Sequence, residues 1–251
     1  MRVSLTPRHL QVSLTRWSAW APGIETDDAW RAWAREPVPL AKEGAPDAKF
    51  LPAMLRRRCT QLTRTMLAAA WGCLDADELP SLRSVFASRH GSINESIGLL
   101  ENVVRREKLS PATFSHTVHN AQAALFSIAA VNREASSSLS AQEDTWACAW
   151  IEALSFLERD PSAPVLVVIG DVPLADTFAP LVDEPAVPYA FACRLASAGD
   201  GSGISLSLDD SNDALPRPAW PHALEFLRWW LSDEPALAQG SRGTRYTFRR
   251  S

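Results

Sequence analysis

The stretch Ser110–Ala153, SPATFSHTVHNAQAALFSIAAVNREASSSLSAQEDTWACAWIEA, decides which fold the chain can adopt. Its pattern predicts a helix over Val118–Val131, a strand over Ser136–Ala141 and a helix over Asp144–Leu157. Both helices are rich in alanine, so each can lie very close to a neighbouring element. Two small-residue helices flanking a serine-rich strand predict the tightly packed centre of a layered α/β domain.

The rest of the chain supplies further helices and strands around this centre. The run PVLVVI at Pro164–Ile169 is continuously apolar, which is typical of a strand buried on both faces. Ser92 and Glu95 have the spacing of a capping box at the start of a helix. The other patterns predict strands over Gln11–Trp17, Leu82–Ser88, Pro188–Leu195 and Gly203–Leu208, an edge strand over Thr244–Arg249, and helices over Ala29–Arg35, Ala53–Leu74, Ser92–Lys108 and Pro221–Leu231.

The composition is that of one ordinary globular domain. The chain has 251 residues, of which 46% are hydrophobic and 22% are charged. A formal net charge of −4 argues against a nucleic-acid-binding protein, which usually carries a basic excess. The N-terminus lacks the apolar core of a signal peptide, and no apolar run approaches the ~20 residues that span a bilayer. We therefore expect a cytoplasmic protein with no membrane span.

Neither a metal site nor a disulfide framework is predicted. His116 and His119 are three residues apart, but no third histidine or carboxylate accompanies them. The cysteines lie far apart and without CxxC spacing, at Cys59, Cys73, Cys148 and Cys193. The residues imply no cofactor.

The chain contains ten tryptophans, an unusual number. We predict that most of them pack in the core. The alternative is a contact surface, where aromatic side chains supply much of the binding energy. The pair Trp229 and Trp230 is the hardest to bury, because adjacent helical residues point about 100° apart.

The stretch Ser110–Ala153 resembles the centre of ketoacyl synthases of the thiolase fold. The resemblance is strongest to the short ketoacyl-synthase-like chain-length factors, and it implies a truncated thiolase-like, layered α-β-α sandwich. Residues 1–180 are then similar to the N-terminal half of a ketoacyl synthase, and 181–251 form a shortened C-terminal extension of a single domain. The other segments that carry the resemblance are WSAWAPGIETDDAW at 17–30, FLPAMLRRR at 50–58, FSHTVHNA at 114–121 and VLVVIGDVPLADTF at 165–178.

The resemblance places Glu143, with Gln142 beside it, where an active synthase has its nucleophilic cysteine. A carboxylate cannot hold an acyl chain as a thioester, so ordinary condensation is not expected. Cys148 lies five residues further on, inside the predicted helix, and does not substitute for the missing thiol. We interpret the Glu143–Asp144 pair mainly as a helix-capping and dipole device. The late histidine, His222, is interpreted as an ordinary core or surface residue.

The implied function is that of a catalytically silent chain-length factor. It would form a heterodimer with an active ketoacyl synthase, meet an acyl carrier protein transiently, and serve polyketide, aryl-polyene or fatty-acid-like biosynthesis. The resemblance also implies that strand Ala135–Ala141 pairs across the two-fold axis of the dimer. Phe114 would then enter the partner's acyl tunnel, and the alternative is an ordinary core aromatic residue. The residues assigned to the tunnel and interface are Thr113, Phe114, His116, Val118 and Asn120.

Two other functions remain open at the level of the sequence. The chain could be a residual malonyl decarboxylase or an acyl hydrolase that acts through Gln142 or Glu143, although no GxSxG motif is present. It could also be a carrier-docking module, in which Arg56, Arg57 and Arg58 meet an acidic carrier protein. The sequence does not distinguish a homodimer from a heterodimer.

Overall fold

A computed structural model describes residues 11–181, 184–198, 203–211, 215–241 and 243–250. The N-terminal segment 1–10, for which no signal peptide is predicted, lies outside the described residues. Within the described ranges, no helix has both the length and the apolar character that a membrane crossing requires.

The chain folds into one mixed sheet with helices on both faces. Short 3-10 turns at Gln142–Asp144 and Asp176–Leu181 connect some of its elements. The strands are β1 Gln11–Trp20, β2 Arg83–Ala87, β3 Ser136–Leu139, β4 Val165–Asp171, β5 Tyr189–Ser197, β6 Ile204–Ser211, β7 Ala236–Gln239 and β8 Gly243–Arg250. The helices are α1 Asp27–Arg35, α2 Ala53–Arg56, α3 Gln61–Cys73, α4 Ile93–Val104, α5 Pro111–Phe114, α6 Ala121–Ala130, α7 Thr145–Arg159 and α8 His222–Trp230.

The strand order of the sheet is β3-β2-β4-β5-β1-β6-β8-β7. Strands β3, β2 and β4 are mutually parallel, so their carboxyl ends meet at one edge of the sheet. The remaining neighbours are antiparallel. Strand β3 is the terminal strand on one side, and β7 is terminal on the other.

Strand β4 explains why helices cover both faces. Its side chains alternate between two apolar clusters: Val165, Val167 and Ile169 belong to one, and Leu166 and Val168 to the other. The first cluster includes residues of α1, α7 and α8, whereas the second includes residues of α3 and α6. The predicted α-β-α sandwich and the strand buried on both faces are confirmed.

The tryptophans are core residues, as predicted for most of them. Six are buried and four are half-buried. An aromatic cluster joins α7, α8, β5 and β8, with ring centroids 5.0–6.4 Å apart in its contacting pairs. Its members are Trp146, Trp150, Phe191, Phe226, Trp229 and Phe248. The C-terminal segment therefore packs aromatic side chains against the buried side of α7.

Three predicted elements are corrected. The helix predicted over Ala53–Leu74 is two helices, because Thr60 is extended and caps a new helix by accepting from the Thr63 N–H. The helix predicted over Val118–Val131 begins only at Ala121 and stops where Val131 is left-handed. The strand near the C-terminus is interior, since β7, which the sequence patterns did not indicate, pairs on its outer side.

The capping box predicted at the start of α4 is also wrong. The Ser92 side chain makes no capping hydrogen bond and instead accepts one from Gln122 Nε2 at 3.1 Å. A buried contact with Gln122 of α6 therefore replaces the predicted capping contact within α4.

Candidate functional site

The turn at Gln142–Asp144 lies between β3 and α7, at the carboxyl edge of the parallel strands. Gln142 has φ +53°, a left-handed conformation that is costly for a residue with a side chain. Thr145 stabilises this conformation, because its Oγ1 accepts from the Ala141 N–H at 3.0 Å and donates to the Gln142 carbonyl at 2.6 Å. Such strain persists only where surrounding contacts fix the backbone.

The C-terminal segment contacts the same turn from outside. His222 Nδ1 lies 2.8 Å from the Glu143 carbonyl oxygen, and Ser241 Oγ donates to Asp144 Oδ2 at 2.7 Å. Gln239 Nε2 donates to the His222 carbonyl at 2.7 Å. His222 is thus a site residue that the sequence analysis assigned to an ordinary position. The role of His222 is visible only in the folded chain, because 79 residues separate it from Glu143 in the sequence.

The two carboxylates of the turn have different partners. As the N-cap of α7, Asp144 makes no side-chain capping hydrogen bond, so the capping interpretation is wrong for this residue. Glu143 Oε1 lies 3.9 Å from the Arg89 guanidinium, which also contacts Glu184 at 3.3 Å. Glu184 Oε1 is in turn 3.6 Å from His90 Nε2. Glu143, Arg89 and Glu184 therefore form a line of alternating charges that joins three loops.

Asp171, at the end of β4, holds the loop that carries Arg89. Its carboxylate is fully buried and accepts hydrogen bonds from Ser88 Oγ at 2.7 Å, the Arg89 N–H at 3.0 Å and the His90 N–H at 2.9 Å. Burial raises the pKa of the Asp171 carboxyl, and these donors act in the opposite direction. Ser88 Oγ also accepts from the Gly91 N–H at 2.8 Å. The loop after β2 is thereby fixed by the end of β4.

A cavity of about 380 Å³ opens beside the turn. Polar and charged side chains line one part of it, and Leu215, Pro216 and Pro218 supply an apolar wall. Its lining includes Arg89, Glu143, Glu184, Arg217, His222 and Ser241. A ligand in this cavity would meet charges of both signs.

The titratable side chains around the turn have the following surroundings. His222 Nδ1 contacts the backbone carbonyl of Glu143, so the imidazole helps to position the turn. Cys148 lies on α7, and burial raises the pKa of its thiol, which disfavours a reactive thiolate. Among the described residues, no group of three or more His, Cys, Asp or Glu could hold a metal ion.

The residues predicted for the tunnel and interface lie together in and after α5. Phe114 has 63% of its surface exposed, which excludes the core-aromatic alternative. Val118 and Asn120 are exposed, Thr113 is half-buried, and His116 is buried. Helix α5 packs against α4, whose exposed apolar residues include Leu100, Val103 and Val104.

Among the described residues no strand pairs with the outer side of β3, and exposed apolar residues flank that side on both faces of the sheet. Helices α6 and α7 each pack beside β3 from opposite faces. On α6 and just after it, Ile128 and Val131 are 62% and 72% exposed, and on α7 Ile151 is 44% exposed. Isolated exposed apolar residues are common, but a set that borders an unpaired strand edge marks an interaction surface.

The arginines predicted to meet a carrier protein lie at the end of α2. Arg57 and Arg58 are exposed, and Arg56 is half-buried. Met54, on the same short helix, is 82% exposed. The structure therefore presents an apolar side chain next to a cluster of positive charges.

The chain belongs to the family described as beta-ketoacyl synthase, N-terminal domain, whose model matches residues 30–248. No curated protein sequence matches the chain at a significant level.

Among solved structures, the chain is similar to a ketosynthase (ApeO) in complex with its chain length factor (ApeC) from Xenorhabdus doucetiae. The identity is 26% and the TM-score 0.80, over 96% of this chain and 100% of the matched chain. It is also similar to the ishigamide ketosynthase/chain length factor, with 15% identity, a TM-score of 0.61, and coverage of 80% of this chain and 67% of that one. A third similar structure is a type II polyketide synthase acyl-carrier protein in complex with its ketosynthase, at 13% identity and a TM-score of 0.59, over 82% of this chain and 70% of that one.

The Asp171 carboxylate gives a direct test of how the site is held together. Asp171→Asn replaces one acceptor oxygen with an NH₂ group that must face an N–H or O–H donor, and we expect it to lower the free energy of unfolding by about 2–3 kcal/mol. Urea unfolding at neutral pH measures this loss. Asp176→Asn, at an exposed position, is the matched control and should be nearly neutral. Equal stability of the two variants would contradict the assigned role of Asp171.

Proposed function

We propose that the chain is a non-catalytic chain-length factor that forms a heterodimer with an active ketoacyl synthase and shapes the acyl tunnel of that partner. The observation that carries this proposal is the outer edge of β3, which pairs with no other strand of the described residues and is bordered by exposed apolar side chains. The similarity to a ketosynthase–chain length factor complex over nearly the whole chain supports it.

The hydrogen-bonding pattern of β3 explains how the partner would dock. The Ala135 and Leu139 carbonyls accept from Ser84 and Ser88 of the β2 side. In a parallel ladder the alternate residues, Ser136 and Ser138, then direct their N–H and C=O groups away from β2. Within the described residues no further strand pairs on that side. A strand of the partner would satisfy these groups and continue the sheet.

The presence of a glutamate at position 143 favours the function of a subunit without condensing activity of its own. The carboxylate occupies the position of the nucleophile and cannot carry a thioester. The turn is nevertheless held by Thr145, His222 and Ser241, so its shape is retained. We infer that the turn has a structural role in the dimer, whose partner would supply the reactive cysteine.

Phe114 is the residue that we propose as the determinant of product length. It lies at the surface of α5 and is largely exposed, so its ring is available to enter a neighbouring subunit. The ring would end an acyl tunnel by occupying its space. Thr113, Val118 and Asn120 would form the surrounding contact.

We further propose that Arg56, Arg57 and Arg58 receive an acidic acyl carrier protein transiently. The exposed Met54 beside them would add an apolar contact to the electrostatic attraction.

Proline at Ser138 tests the pairing of β3. Ser138→Pro removes an N–H that points away from β2, so the isolated chain should lose no more than about 1 kcal/mol of stability. The same change removes a hydrogen bond to the partner and inserts a ring at the interface. We expect at least tenfold weaker binding to the cognate synthase, measured by co-purification and isothermal titration.

Ser138→Thr keeps the N–H and is the matched control for this change. Thermal unfolding of the isolated variants establishes that both are folded. Full affinity of the folded proline variant for the synthase would reject β3 as the docking edge.

Substitution of Phe114 tests the control of product length. Phe114→Ala should favour products longer than those of the native pair, because one methylene in an apolar pocket changes discrimination by about 1–3 kcal/mol. We expect the ratio of longer to native-length product to rise about tenfold, as measured by mass spectrometry of the reconstituted pair. Leu208→Ala, which shortens an exposed apolar residue on the distant strand β6, is the control. An unchanged product profile with an intact dimer would exclude Phe114 as the determinant.

Charge reversal at Arg57 tests the docking of the carrier. Arg57→Glu should weaken carrier binding by about three- to tenfold at low ionic strength, with a smaller difference at high salt. Lys42→Glu, an exposed reversal elsewhere, controls for the change in net charge. Equal effects of the two reversals would indicate that the arginine cluster is not the docking site.

A further inference from the structure

His116 is a buried titratable residue that the proposed function does not use. Only 8% of its surface is exposed, and Nδ1 has no hydrogen-bond partner within the described residues. It follows α5 directly, in a turn where its own N–H donates to the Thr113 carbonyl at 3.0 Å. A neutral imidazole tolerates this environment better than an imidazolium, which carries two N–H donors and a charge.

Two charged residues act electrostatically on His116. Glu95 lies on α4, against which α5 packs, and Arg58 lies in the connection between α2 and α3. Burial lowers the pKa of His116, the Arg58 charge lowers it further, and the Glu95 charge opposes both. The environment of the packed imidazole therefore disfavours its protonated form.

His116 lies between exposed residues of the predicted interface, so a change in its charge would affect that surface. The residues on either side of it include Phe114 and Val118, both exposed. The backbone hydrogen bonds of this segment are local turns, such as Ser115 N–H to the Pro111 carbonyl and Thr117 N–H to the Phe114 carbonyl. Within the segment 111–118 only His116 is buried. Its side chain therefore anchors the segment to the body of the protein.

We propose that protonation of His116 releases the segment 111–118 from the surface of α4, and that mild acid thereby weakens pairing with the partner subunit. The second step rests on the proposed function. The sign follows from linkage: a released His116 takes up its proton near pH 6.5, whereas the packed residue resists it. The packed state therefore loses stability as the pH falls below about 6.5, and the loss ends once the packed residue also becomes protonated.

The first step is tested on the isolated chain. Hydrogen–deuterium exchange of the segment 111–118, corrected for the intrinsic pH dependence, should be several-fold faster at pH 5.5 than at pH 7.5. The variant His116→Gln keeps a polar side chain without a titrating ring and should show no such difference. An identical pH response in this variant would overturn the proposal.

An NMR titration of the histidine side chains keeps the test decisive if the glutamine variant does not fold. The resonance of His116 should titrate below pH 6.5, Arg58→Gln should raise its midpoint, and Glu95→Gln should lower it. A midpoint at or above 6.5, or no response to either neighbour, would overturn the proposal.

The second step is measured with the cognate synthase at both pH values. We expect the affinity of the native chain to fall several-fold at pH 5.5, up to tenfold for each pH unit that separates the two midpoints. Pairing at pH 7.5 with an unchanged affinity at pH 5.5 would refute this step alone. If the chain does not bind the synthase at either pH, the proposed function fails while the result for the isolated chain stands.

Discussion

Burial of β4 on both faces is the constraint from which the rest of the structure follows. Each of its Val, Leu and Ile side chains contributes about 1.5–3 kcal/mol when it is removed from water. Five such residues in succession require apolar cover above and below the sheet, which α3 and α6 provide on one face and α1, α7 and α8 on the other. The parallel pairing of β3, β2 and β4 then gathers their carboxyl ends at one edge, where Asp171 orders the loop that carries Arg89.

The same arrangement leaves β3 at the boundary of the sheet. Its Ser137 Oγ donates to Glu152 of α7 at 2.6 Å, and its Ser136 Oγ accepts from Ser84 Oγ at 3.0 Å, so the side chains are satisfied internally. The outward backbone groups are not paired by another strand within the described residues. An edge with these properties pairs readily with another chain. The exposed apolar residues beside it add a hydrophobic contribution to such pairing.

The C-terminal segment gives α7 an apolar cover of its own. Trp150, Phe226 and Phe248 pack together between α7, α8 and β8, with centroid separations of 5.0–5.2 Å. The polar contacts of His222 and Ser241 to the Gln142–Asp144 turn extend this cover to the carboxyl edge of the sheet. The C-terminal segment therefore both completes the core and fixes the Gln142–Asp144 turn.

Periodicity predicted most elements because their apolar patterns are strong, as the run in β4 and the small-residue helices illustrate. It failed where a single residue interrupts a pattern. Thr60 divides one predicted helix, and the left-handed Val131 ends another. Periodicity also does not predict contacts between residues that are far apart in the chain. It therefore did not predict the partner of Ser92 or the position of His222 beside Glu143. The division of the chain into residues 1–180 and 181–251 remains a prediction.

The family resemblance predicts that Glu143 takes the position of the nucleophile, but it does not predict the surroundings of this residue. Placing Glu143 near Arg89 requires the loop after β2, whose conformation depends on Asp171, more than 80 residues further along the chain. The exposure of Phe114 likewise depends on how α5 packs on α4, which spacing alone does not define. The sequence therefore predicts a candidate interface, and the fold shows which side chains of these residues are exposed.

The central claim is that a synthase subunit pairs with the outer edge of β3. Amide hydrogen exchange at Ser136 and Ser138, compared between the isolated chain and its complex with the cognate synthase, tests it most directly. The account predicts that both amides become protected at least tenfold in the complex, because each would donate to a strand of the partner. Formation of a stable complex in which both amides exchange as fast as in the isolated chain would contradict it.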